Sequence, residues 1–292
     1  MPSRQTDSDR QLLRPADRLV ALAPAAAIGC AEGTARLDVR DASAFAAGHW
    51  TGSGHVPLDE LAARRSELPP RDRRILVVAE NGERASRAAD ALGSLGYADV
   101  AWLDGTLAEI PGGLAGAGPA ARLWRPAPFL EWALPALTPG LAIDLAAGAG
   151  REAVFLALHG FAVEAWDHDR GALDRACALA VRHGVTITPV VRNLERRAPD
   201  LPEGRAGLVT VFRFLHRPLF PHIERALAPG GSLVYETYRR GQARFGRPRH
   251  PRFLLDDGEL SRAFPSLSVE HYEELDPPEG PIVARLLARR PA

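Results

Sequence analysis

Short apolar runs alternate with helical patterns along this chain, and the alternation breaks once, at residues 110–128 ("IPGGLAGAGPAARLWRPAP"). That stretch is dense in Gly, Pro and Ala and reads as a linker. Before it come "ARLDVRD", "RRILVVAE" and "ADVAWLDG" as strands, with "ASAFAAGHW" and "RASRAADALGSLGY" as helices. After it come "LAIDLAAG", "FAVEAWDHD", "VTITPVVRN", "AGLVTVFRFLH" and "SLVYETY" as strands. The helical patterns between those five are "REAVFLALHG", "RGALDRACALAVRHG" and "LFPHIERALAPGG". Strict βα alternation gives parallel sheets, because parallel neighbours need a crossover connection. The expected class is therefore α/β in both halves. The second half reads as a doubly wound sheet, with "SLSVEHYEEL" and "PIVARLLARR" as a closing antiparallel pair. The expected boundaries are a disordered tail over 1–14, a first domain over 15–113, a linker over 114–122 and a second domain over 123–292.

Bulk composition narrows the function classes. The 292 residues carry 36 basic and 36 acidic side chains, so no net charge draws the chain to nucleic acid or to an acidic membrane. All 36 basic residues are Arg, which with abundant Ala, Gly and Pro fits a GC-rich bacterial genome. Cys30 and Cys177 make neither a disulfide framework nor a zinc set, and a reducing cytoplasm fits. The polar start "MPSRQTDSDRQ" is not a signal peptide, and no apolar run is long enough to span a bilayer.

In the first half, "VVAENGERASRAA" carries a buried-strand run into a loop and then a helix, the arrangement of an anion cradle. Ala79 opens the loop where a nucleophile would stand, and Glu80 and Glu83 add negative charge that opposes a thiolate or a bound oxyanion. The ordered set "LDVRD", "FAAGHW", "HVPLDEL", this loop and "GYADVAWLDG" resembles the rhodanese family of sulfur carriers over 15–113. In active members, the resemblance implies, a Cys carries a persulfide at the position of Ala79. Alanine excludes sulfur transfer by that route, and Cys30 reads as a small hydrophobe rather than a substitute. Arg40 resembles the family's fold-bracing arginine, and His49 is expected to bond backbone. The domain is left to dock a partner, to form an oligomer or to cover the second half.

In the second half, "IDLAAGAGRE" ends a strand at Asp144, passes Gly148 and Gly150, and starts a helix near Arg151. Glycine admits a ligand close to the backbone, and the third glycine of a dinucleotide fingerprint is missing. Asp167 ends the second strand, with Asp169 better suited to cap the following helix. The segment resembles the class I S-adenosylmethionine methyltransferases, and "LAAGAGREAVFLALHGFAV" carries a likeness to their tellurite-resistance and thiopurine-type members. The resemblance implies S-adenosylmethionine as cofactor and S-adenosylhomocysteine as product. It sets the ribose at Asp167, and the adenine at Asn193, through its amide oxygen, and at Leu194. The expected cofactor contacts are Asp144, Ala146, Gly148, Gly150, Arg151, Asp167, His168, Asn193, Leu194 and Phe212, with no metal.

The acceptor is expected beyond the ends of the fourth and fifth strands and beside the segment before the glycine loop. His216, expected at the tip of the fourth strand, is the candidate base, with backbone bonding or capping as its alternative. Arg217 and Glu236 join it, and Arg125, Tyr238 and Arg247 are the expected substrate contacts. Trp124 and Trp132 read equally as lid or core. "YETYRRGQARFGRPRHPRFLL" resembles an RNA-binding patch in composition, yet neutral net charge and the absence of Lys favour an ordered loop over a small anionic acceptor. The likeness implies a thiol or another chalcogen as acceptor. The rivals are an RNA methyltransferase and a non-enzymatic cofactor-binding regulator.

Overall fold

The computed structural model describes residues 19–29, 33–110, 116, 118–196 and 201–292. The expected tail over 1–14, Cys30 and much of the expected linker lie outside the described residues. The chain divides into two compact units between Trp124 and Arg125. Each is an α/β sheet of parallel strands, and the second ends in an antiparallel pair.

In the first unit, β1 (Leu19–Leu22), β2 (Ala35–Asp38), β3 (Gly54–His55), β4 (Ile75–Val78) and β5 (Val100–Leu103) form one parallel sheet in the order β1-β5-β4-β2-β3. β4 is apolar at every position because both its faces are covered. Ile75 and Val77 face the cluster built by Leu37, Val39 and α3 (Gly82–Ser94), which contributes Ala85, Ala88, Ala89 and Leu92 at helical spacing. Leu76 and Val78 face the opposite cluster, with Ala27 of α1 (Pro24–Gly29) and Leu103. The sequence reading missed β1 and α1, whose apolar pattern is only four to six residues long.

Asp38, fully buried at the end of β2, accepts from Arg40 Nε at 3.0 Å and from Nη2 at 2.6 Å, and Nη2 also donates to Gly48 O. A buried carboxylate stripped of such a partner costs about 3–5 kcal/mol, so Arg40 braces this unit. The Gly48 carbonyl it holds follows α2 (Ala42–Ala47), and His49 Nδ1 lies 3.1 Å from Phe45 O.

In the second unit, β6 (Leu141–Leu145), β7 (Ala162–Asp167), β8 (Thr188–Val191), β9 (Ala206–Phe212), β10 (Leu227–Tyr238), β11 (Ser268–Leu275) and β12 (Val283–Arg289) take the order β11-β12-β10-β9-β6-β7-β8. α4 (Pro128–Ala133) precedes β6, and between the strands run α5 (Arg151–Leu158), α6 (Arg170–Arg182), α7 (Phe220–Ala226) and α8 (Glu259–Arg262). β6 through β10 pair in parallel, so their carboxyl ends share one edge.

Three sequence expectations shift here. The fourth strand stops at Phe212 because Arg213 turns out of it at φ 57°, so His216 is not at a strand tip. The third strand covers only Thr188–Val191. The helix expected over 219–231 ends at Ala226, and "LAPGG" opens the long strand β10 with a register slip between Leu227 and Ser232. Gly231 permits this, because a Cβ there would stand 2.8 Å from Ala206 O.

Candidate functional site

The shared carboxyl edge of β6, β7, β8 and β9 bears a cavity of about 270 Å³ lined by Ala146, Asp167, His168, Arg192, Asn193, Leu194, Glu195 and Phe214. The glycine loop reaches the cavity wall through Ala146. Ala146 leaves β6 at φ 58°, Ala147 N–H donates to Trp166 O at 3.0 Å, and Gly148 follows at φ 54°. Gly148 N–H then donates to Asp167 Oδ2 at 2.9 Å, which fastens the loop to the tip of β7. A Cβ on Gly148 would meet nothing within 4 Å, so this glycine leaves its ligand side open. Gly150 has a different duty. At φ 79° it caps α5, and a Cβ there would lie 2.4 Å from Ala176 Cβ on α6. It lets two helices close together, and Arg151 begins the helix behind it.

Asp167 is buried and held in place. Oδ1 accepts Asp169 N–H at 2.9 Å, and His168 Nδ1 lies 3.1 Å from the same oxygen. Asp169, as the sequence suggested, caps α6 by accepting Ala172 N–H. Asn193 Oδ1 accepts Glu195 N–H at 2.9 Å, an Asx turn that leaves its amide N–H groups as the free donors. The amide oxygen expected to accept from adenine thus has one of its two lone pairs engaged. Leu194, buried, presents an apolar wall.

Phe212 is not on this wall; Phe214, two residues past it, is. The left-handed turn at Arg213 exchanges their positions. Arg192, Glu195 and Phe214 were missed by the sequence reading: Arg192 and Phe214 fell inside the expected strands, and Glu195 two residues past one. Asp144 lies under the loop rather than in the cavity. Oδ1 accepts Thr210 Oγ1–H at 2.7 Å, while Oδ2 has no partner. Burial, reinforced by the charge of Glu152, pushes its carboxyl well above the ordinary carboxylate range.

The expected acceptor residues do not converge on the cavity wall. Arg217 is a clamp: its guanidinium pairs with Glu259, with Nη2–Oε2 at 2.8 Å, and donates to Arg252 O and Leu254 O at 3.0 Å. Glu236 is buried and accepts from Arg285 Nε at 2.6 Å, and Arg285 also binds Glu273. Arg125 pairs with Glu131 at 2.6 Å on the surface. Tyr238 ends β10, and its carbonyl accepts Leu255 N–H. Arg247 lies at a separate surface cavity. His216 is half-buried before the turn Arg217–Leu219 and has no side-chain partner among the described residues. Trp124 is buried, and Trp132 is 54% exposed, stacked at 5.4 Å on Phe129. No cluster of metal-ligating side chains occurs among the described residues.

In the first unit the corresponding loop is closed on itself. Ala79 is buried, Asn81 caps α3 by accepting Arg84 N–H, and Glu80 pairs with Arg84 at 3.0 Å.

Comparison with known proteins assigns both units. The family described as "Rhodanese-like domain" matches residues 27–110, and "Tellurite resistance protein TehB" matches 130–224. The thiosulfate sulfurtransferase GlpE of Pseudomonas putida strain GB-1 is 41% identical over 76 residues, covering 25% of this chain and 66% of the relative. That of Pseudomonas entomophila strain L48 is 38% identical over 77 residues, covering 26% of this chain and 68% of the relative. Among solved structures, TehB from Haemophilus influenzae aligns with a TM-score of 0.47 at 18% identity, over 55% of this chain and 61% of that one.

The two glycines separate by experiment. Gly150→Ala combines overpacking, about 1–3 kcal/mol, with a left-handed backbone, about 1–2 kcal/mol. Gly148→Ala carries only the backbone part. Denaturant unfolding of the second unit is expected to show Gly150→Ala as clearly the less stable; equal losses would contradict the packing assigned to Gly150.

Proposed function

Since the chain belongs to the rhodanese-like family through its first unit and carries a TehB-like methyltransferase domain in its second, we propose that the second unit transfers a methyl group from S-adenosylmethionine to a small-molecule acceptor. The hydrogen bond from Gly148 to Asp167 carries this reading. It fastens the open glycine loop to a fixed carboxylate on the cavity wall, with the apolar Leu194 on the same wall. A nucleoside needs those three elements: close backbone approach, an acceptor for its sugar hydroxyls and a flat apolar surface for its base.

Asp167 holds the ribose. An ionised carboxylate offers about four acceptor positions, and Gly148, Asp169 and His168 occupy three of them. His168 is exposed and swings aside to admit the second hydroxyl. The amide N–H groups of Asn193 donate to adenine ring nitrogens, and its oxygen keeps one lone pair for the adenine amine. The bound cofactor supplies the electrophilic methyl group. The chain's own task is to align the acceptor and take its proton where it has one. His216, with a free imidazole two residues past the cavity residue Phe214, is our choice for that base. Arg217 positions the segment around it rather than meeting substrate.

The acceptor we propose is a thiol or another chalcogen, in keeping with the TehB likeness. The first unit is proposed to have no sulfurtransferase activity, because Ala79 offers no sulfur atom and the Glu80–Arg84 pair closes the loop. No helix among the described residues is long and apolar enough to cross a bilayer.

Two measurements bear on this. Titration calorimetry with S-adenosylhomocysteine is expected to show Asp167→Ala weakened by roughly thirtyfold, since two hydroxyl bonds at about 1 kcal/mol each are lost. Unchanged affinity removes Asp167 from the site. Purified protein given thiosulfate and cyanide is expected to form no thiocyanate above the uncatalysed rate. Turnover that disappears in Cys30→Ser would show that the first unit retains a working thiol.

A further inference from the structure

Residues 239–255 leave the carboxyl end of β10 and return to it. Leu255 N–H donates to Tyr238 O at 2.9 Å, and Arg240 N–H donates to Leu255 O at 3.1 Å, so the two ends of the loop are bonded together. Such closed loops are compact and often functional. The base is anchored further by buried Gln242, whose Oε1 accepts Ile282 N–H at 2.8 Å. Arg217 holds the returning arm through the carbonyls of Arg252 and Leu254.

The loop carries six arginines, and their partners divide them. Arg239 meets Asp257 and Glu274, Arg240 meets Asp256, and Arg244 meets Asp276. Arg252 lies 3.8 Å from Glu195, a wall residue of the cofactor cavity, and stacks on Phe253. Arg247 and Arg249, at the tip, have no carboxylate partner among the described residues, and both line a surface cavity of about 490 Å³. Its remaining walls are Pro248, His250 and Phe253. His250 Nδ1 accepts Arg252 N–H at 3.2 Å, which puts the proton of the neutral ring on Nε2. The side-chain polar groups around the cavity are therefore donors, with two uncompensated positive charges.

We propose that this tip is an anion subsite that takes the phosphoryl group of a small acceptor molecule. The inference rests on the methyltransferase reading for its role, because the Arg252–Glu195 contact ties the loop to the cofactor cavity. Two guanidinium forks match a phosphoryl dianion in charge and in planar donor geometry. An extended nucleic-acid backbone needs a track of free cations, and four of the loop's six arginines are already neutralised.

Pyrophosphate is the probe, titrated at low ionic strength into the full chain saturated with S-adenosylhomocysteine and followed by phosphorus NMR. Wild type is expected to bind it, and the double variant Arg247→Ala/Arg249→Ala to lose at least tenfold in affinity. Arg240→Ala/Arg244→Ala, which removes paired cations, is expected to bind as wild type does. Affinity for S-adenosylhomocysteine is measured on the same samples. Normal cofactor binding with no pyrophosphate binding, or with equal binding by the double variant, overturns the subsite alone. Loss of cofactor binding in wild type overturns the methyltransferase reading instead. A parallel titration with a ten-nucleotide single-stranded RNA is expected to bind no tighter than pyrophosphate. Tighter binding with a salt slope above that of two ion pairs overturns the small-molecule assignment.

Discussion

Parallel pairing of β6, β7, β8, β9 and β10 puts five strand ends on one edge, and the chemistry of the second unit depends on that constraint. A parallel sheet must send every connection out at the same side, so its loops collect there. Left-handed residues then redirect the loops. Ala146 turns the chain off β6, and Arg213 turns it off β9. Non-glycine residues in that conformation carry strain and tend to gather at functional sites. Both turns abut the cavity, one through Ala146 itself and the other through its neighbour Phe214.

Buried charge is treated differently in the two units. Asp38 is neutralised by a fork of hydrogen bonds from Arg40, which makes it a structural brace. Asp144 accepts from Thr210 and has no ion-pair partner among the described residues, and burial raises its pKa. Across the same sheet, Glu236 is neutralised by Arg285. Among the described residues, His216, Arg247, Arg249 and the amide N–H groups of Asn193 keep hydrogen-bonding capacity to spare. They are where the proposed substrate contacts lie.

The α/β class, the parallel order and the antiparallel closure were legible in the sequence because βα alternation and apolar runs encode them directly. The glycine loop after β6 and Asp167 at the end of β7 were legible for the same reason, while Leu194, three residues past β8, was read from the family resemblance. The acceptor side was not. Arg217, Glu236 and Arg125 have the composition of binding residues, and each is engaged by an oppositely charged partner, Glu259, Arg285 and Glu131. Two of those partners are distant in sequence, and no local pattern reports them. The turn at Arg213 was equally hidden, because arginine gives no signal for a left-handed backbone; it displaced both His216 and Phe212 from their expected places. The split among the loop arginines emerged only once their carboxylate neighbours were placed.

The central claim is that the cavity at this edge holds the nucleoside of S-adenosylmethionine. A crystal structure of the protein with S-adenosylhomocysteine tests it most directly. The account predicts ribose hydroxyls within hydrogen-bond distance of the Asp167 carboxylate, His168 displaced from Oδ1, and adenine against Leu194 beside the Asn193 amide. The product bound elsewhere, or an Asp167 carboxylate still held only by Gly148, His168 and Asp169, would contradict it.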